Sequence, residues 1–124
     1  MLAARIGVAL KFAEYPSPPK VVEALASGAA DMALLGIDPV RGIEVDFSPP
    51  LLAADFTYLV PEGSAVRAIA DADRTGVRIA LAVKKGEAGW HSYVSGFAEA
   101  ARADGTVERA IAGAGLGGVE TANR

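Results

Sequence analysis

Between Gly28 and Gly36 the chain has room for only one short element. Asp31-Met32-Ala33-Leu34-Leu35 is an apolar run behind a single acid. It is too short for a helix and suits a strand covered on both faces. The stretch that follows, GIDPVRGIEVDFSPPLLAADFTYLVP, sets an arginine, Arg41, on a loop just past that strand and just ahead of Asp46-Phe47-Ser48-Pro49. Loops beyond the carboxyl ends of strands are where open α/β sheets hold ligands, so residues 36–39 are a candidate binding segment.

The neighbouring segments supply layers for such a sheet. Residues 7–14, GVALKFAE, place Val8, Leu10 and Phe12 on one face and read as a first strand. Ser17 before Pro18 marks a helix start, where a hydroxyl can accept from free N–H groups and proline gives up nothing. Val21, Val22 and Leu25 make its apolar stripe, and Gly28 stands where a left-handed cap is needed. Residues 7–36 are thus expected to form a right-handed β-α-β unit. Beyond Pro49-Pro50, residues 56–60 read as a further strand and residues 64–71 as a short helical turn. The strongest period-2 pattern is VRIALAVKK, where Val77, Ile79, Leu81 and Val83 alternate with Arg78, Ala80, Ala82 and Lys84.

The last third is helical in pattern. Trp90, Tyr93, Val94, Phe97, Ala98 and Ala101 share one helix face, which Asp104-Gly105 ends. Thr106 is placed to cap a second helix with Val107, Ala110, Ile111 and Ala114 inside; residues 115–118 dissolve the pattern, and the tail is expected to fray.

At 124 residues, with 52% hydrophobic and 22% charged residues, the chain suits one domain, 1–124. Residues 7–85 form the sheet and residues 88–118 the C-terminal helices. The net charge of −3, with its Lys and Arg scattered, argues against a nucleic-acid partner. No apolar run reaches the roughly 18–20 residues of a membrane span. The start MLAARIG lacks the apolar stretch of a secretory signal, so the chain as written is expected to stay in the cytoplasm. With no cysteine and one histidine, His91, neither a thiolate nor a metal site is expected, and no cofactor. His91 reads as a surface or capping residue. The serines lack a plausible His/Asp pairing and no carboxylate pair sits in a strand-end loop, so the chain is not expected to be an enzyme. Gly113 to Gly118 matches GxGxxG in form, yet it follows a helix and leads into none, so a nucleotide site is set aside.

The segment KVVEALASGAAD at residues 20–31, followed by Gly36, Arg41, Asp46-Phe47-Ser48-Pro49 and Val60-Pro61, resembles lobe one of type II periplasmic binding proteins. The likeness is nearest to the family-3 extracellular solute-binding proteins that serve amino-acid ABC transporters. It covers residues 7 to about 85, with a looser likeness at residues 96–119. It implies an α/β fold: a single three-layer lobe with a mixed sheet of about four strands and helices on both faces. Against that family the chain looks short, lacking the first strand–helix unit and effectively all of lobe two. The Thr-rich stretch that common members carry before the arginine is replaced by Asp38-Pro39.

The resemblance assigns the matching arginine to ligand binding, which makes Arg41 the leading site residue, with backbone groups of Gly36 and Ile37 orienting the ligand. A guanidinium presents a planar fork of donors that matches a carboxylate. The alternative is a surface arginine paired with Glu44 or Asp46. Asp38 is either an acceptor for a ligand ammonium or plain turn chemistry before proline. Asp46-Phe47-Ser48-Pro49 is expected to serve structure, with Phe47 in the core and Asp46 or Ser48 satisfying turn amides.

Two functions follow. One is weak binding of a small carboxylate such as an amino acid. An ion pair on one open face contributes only about 0–1 kcal/mol, so millimolar affinity or worse is expected. The other is a structural, self-associating domain, expected as a homodimer, because a sheet missing its first strand leaves an unpaired edge. VRIALAVKKG could fill that gap in its own chain or, by strand exchange, in a neighbour's.

Overall fold

The computed structural model describes residues 2–55, 62–63, 76–115, 117 and 119–122. In chain order these form α1 (Leu2–Ile6), α2 (Pro18–Ser27), β1 (Ala33–Gly36), a single 3-10 turn (Arg41–Ile43), β2 (Val45–Phe47), β3 (Leu52–Asp55), β4 (Gly76–Lys84), α3 (Ala88–Ala103), α4 (Thr106–Ala114) and β5 (Val119–Thr121).

The sheet is organised around β4, the segment with the clearest alternation. Leu81 and Val83 point to one face and pack with Val94 and Ala98 of α3 and Val107 of α4. Ala82 points to the other and packs with Val22 and Leu25 of α2 and with Leu35 and Val45. Helices therefore cover both faces, and the period-2 pattern of β4 divides the core between them. Leu25, Val45, Val83 and Val94 are fully buried.

Ala82 is partnered by Ala33 of β1 and also by Phe47 of β2, so these two strands lie on opposite edges of β4. β3 shares the β2 edge further along, with Leu52 opposite Ile79, and β5 closes that side with Thr121 opposite Leu52. All pairings among the described residues are antiparallel. The expected α/β lobe is present, but among the described residues its sheet has five antiparallel strands where a mixed sheet of about four was anticipated. β4 sits in the middle of its own chain's sheet, which places VRIALAVKK as an internal strand.

β2 and β3 act as one interrupted strand. Pro49 and Pro50 cannot donate to a ladder, and Ser48 spans the break. Its N–H donates to the Leu81 carbonyl at 2.8 Å, and its Oγ accepts from the Leu81 N–H at 3.1 Å. The same hydroxyl donates to the Pro49 carbonyl at 2.8 Å. Leu51 then resumes the ladder with its N–H on the Ile79 carbonyl at 2.8 Å.

Several sequence expectations are corrected. Residues 7–14 do not form a strand, and no β-α-β unit spans 7–36. β1 pairs instead with a strand forty residues and more downstream. The alternation in residues 7–14 is real, but a strand needs a neighbour for its backbone groups, and no described strand lies beside it. Val8, Leu10 and Phe12 are left 57%, 64% and 84% exposed. The Ser17 hydroxyl does not cap α2; Pro18 and Pro19 open the helix and the Ser17 carbonyl receives Lys20 N–H at 3.1 Å. Gly28 does end it, at φ 82°. Thr106 does not cap α4 but is itself capped, its N–H donating to the Asp104 carboxylate at 2.9 Å. The tail does not simply fray: Gly115 turns the chain at φ 65° and residues 119–121 return to β3. The strand expected at 56–60 and the turn at 64–71 lie outside the described residues. Among those described, no helix is long and apolar enough to cross a membrane.

Candidate functional site

β1 ends at Gly36, and the Ile37 N–H extends its ladder by donating to the Arg78 carbonyl at 2.8 Å. The chain then folds into a tight loop. The Asp38 carboxylate accepts from Val40 N–H at 2.7 Å, and its carbonyl accepts from Gly42 N–H at 2.9 Å. Aspartate before proline favours this two-residue side-chain turn. The acid is thus engaged in holding the loop's shape.

That shape carries Arg41 back over the strand end. Its NH1 donates to the Gly36 carbonyl at 2.9 Å. A β-carbon built on Gly36 would lie 3.2 Å from the same nitrogen and 2.7 Å from Val77 Cγ2. Glycine at this position therefore permits the close approach of the guanidinium. The structure brings Arg41, Gly36, Ile37 and Asp38 together in one half-buried loop. Of the backbone groups named from sequence, the Ile37 N–H serves the sheet and the Gly36 carbonyl serves Arg41.

The pairing of Arg41 with Glu44 or Asp46 is absent. Among the described residues Arg41 has no carboxylate within ion-pair distance, and its remaining N–H groups have no acceptor. Asp46 turns the other way, to the β4–α3 turn. It accepts from Gly86 N–H at 3.1 Å and lies 3.5 Å from Lys85 Nζ. The Gly86 hydrogen bond, with Lys85 and His91 adding positive charge, holds the Asp46 carboxyl below its ordinary value. Val40 and Ile43 flank the guanidinium in sequence and are each 73% exposed.

Sequence reasoning missed Lys85. Its Nζ donates to the Gly42 carbonyl at 2.7 Å, so it clasps the arginine loop and the Asp46 carboxylate together. The only hint was the Lys84-Lys85-Gly86 turn, and nothing local points from there to residue 42. His91 is more than a surface residue: its Nε2 lies 2.7 Å from the Phe47 carbonyl and must carry the proton to bond there. Trp90 Nε1 donates to the Asp31 carbonyl at 2.8 Å. The start of α3 is thereby tied to Asp31, just ahead of β1, and to β2. Trp90 stacks on Tyr93 with ring centres 6.1 Å apart, as packing. Among the described residues no three of His, Asp and Glu gather as a metal cluster.

The family profile of bacterial extracellular solute-binding proteins, family 3, matches residues 1–113, and the chain belongs to that family. Among solved structures it is similar to an ancestral cationic amino acid solute-binding protein, with a TM-score of 0.67 at 18% identity. The match covers 87% of this chain and 79% of that one. At that identity the likeness concerns the fold. Comparison with curated proteins gives no match.

Proposed function

We propose that the chain binds a small carboxylate, such as an amino acid, through Arg41, without catalysis. The observation that carries this is the state of the guanidinium: pinned at NH1 by the Gly36 carbonyl and unneutralised among the described residues. An arginine oriented in advance gives up less freedom when its remaining N–H groups meet a carboxylate. Membership of a solute-binding family supports the reading, as does a structural neighbour named for cationic amino acids. The site is open, so the affinity expected is weak, in the millimolar range, or about −4 kcal/mol.

A thermal-shift panel of amino acids and small carboxylates tests the reading. At 10 mM ligand and a Kd of about 1 mM, binding adds about 1.4 kcal/mol, a rise of several degrees for a domain of this size. The rise is expected for some member of the panel and lost in Arg41→Ala. A flat panel in both proteins contradicts it.

A second reading is a self-associating, structural domain, whose homodimer would rest on the exposed apolar side chains Val8, Leu10 and Phe12. The exposure of three large alternating residues in one short segment favours it. Sedimentation showing monomer alone at tens of micromolar would remove it.

A further inference from the structure

The sheet order places β1 at an edge, with β4 on one side and no described strand on the other. The groups that this edge presents can be identified. The Ile37 N–H donates to the Arg78 carbonyl, so residue 37 faces β4. In an antiparallel ladder the direction alternates, so Ala33 and Leu35 also face β4 while Leu34 and Gly36 face outward. The bond from Arg41 to the Gly36 carbonyl agrees with this and stops the edge at Gly36. Leu34, just inside that stop, is 58% exposed.

The same chain carries an unpaired strand-like segment. Among the described residues, residues 9–15 make no backbone hydrogen bond. Leu10 and Phe12 stand out at 64% and 84% exposure. Lys11 and Asp31 are both exposed and neither has an ion pair among the described residues.

We infer that residues 10–12 of one copy add as an antiparallel strand to the outer edge of β1 in a second copy, and reciprocally. The inference rests on the self-association reading above and names its surface. The alternation fixes the register. Leu10 opposite Leu34 and Phe12 opposite Met32 put apolar side chains on the face where Leu34 is bare and Met32 already packs against the α3–α4 core. Lys11 then lies opposite Ala33 and diagonal to Asp31 on the other face, within reach of a lysine side chain. A shift by one residue would set Leu10 and Phe12 on the wrong face. A second copy is the occupant because the free edge, the free strand and the complementary charges belong to one chain, which gives a closed two-fold pairing.

The test uses the full chain. Sedimentation across a dilution series is run for wild type, Leu10→Pro, Phe12→Asp, Lys11→Glu, Asp31→Lys and the Lys11→Glu/Asp31→Lys pair. These positions are exposed, so unchanged circular dichroism is expected for each variant. Wild type is expected to dimerise at tens of micromolar, and Leu10→Pro and Phe12→Asp to weaken the dimer at least tenfold. Each charge reversal should weaken it a few-fold and the double reversal restore it. Amide exchange should show residues 10–12 protected only at concentrations where the dimer forms. Monomer at every concentration overturns the inference together with the self-association reading. A dimer untouched by Leu10→Pro overturns the inference alone. Protection of residues 10–12 in dilute monomer overturns it by placing the segment's partner in its own chain.

Discussion

The place of Arg41 on a loop past a short apolar strand and before a proline-rich break was legible from local spacing, whereas its choice as the candidate site residue came from the family resemblance. Its freedom from Glu44 and Asp46 was not legible, since it depends on Asp46 turning to a residue forty positions later in the chain. Asp46 carries a prediction of its own. Its folded carboxyl is held below its ordinary value, chiefly by the Gly86 N–H. A depressed pKa contributes stability above the unfolded value that is lost as the pH falls through the folded one, here below about pH 4. Asp46→Asn should therefore be less stable than wild type at pH 7, and the gap should close as pH falls from about 4 toward 2. Urea denaturation at pH 7 and at pH 2.5 checks this, and a gap of equal size at both would refute it.

At the scale of elements, what the sequence showed depended on whether an element carries its own reason to form. α2 opens at Pro18 and ends at Gly28, and α3 buries Val94, Ala98 and Ala101, all as spacing implied. Strands depend on partners, and there the reading failed in both directions. Residues 7–14 alternate well and pair with nothing described, while residues 119–121 looked like a fraying tail and became β5. Ser48 shows the same dependence on distant residues. Its hydroxyl replaces the backbone acceptor that the Pro49-Pro50 break denies to Leu81. Ser48→Ala should leave a buried N–H without an acceptor and cost about 1–3 kcal/mol in chemical denaturation. A loss within about 0.3 kcal/mol would mean that the two halves of the strand hold without it.

Across the whole molecule, β4 decides the architecture. One alternating segment receives β1 on one edge and β2 and β3 on the other, and divides the apolar side chains between α2 and the α3–α4 pair. Its alternation marked it as a strand, but its central place follows from three antiparallel pairings that no local pattern specifies. That arrangement sets Gly36, the end of β1, beside Val77, and so fixes where Arg41 meets the sheet. Lys85, at the opposite end of β4, holds the same loop from its far side. The domain therefore presents a guanidinium braced at one nitrogen and, among the described residues, open at the others. The most direct measurement follows the Arg41 Nε–H resonance, assigned by its loss in Arg41→Lys, as amino acids from the thermal-shift panel and their decarboxylated amines are titrated. The account predicts that the resonance moves saturably with an amino acid, at millimolar concentration, and stays in place with the matching amine. Equal movement with both, or none with any amino acid, would contradict carboxylate capture by Arg41.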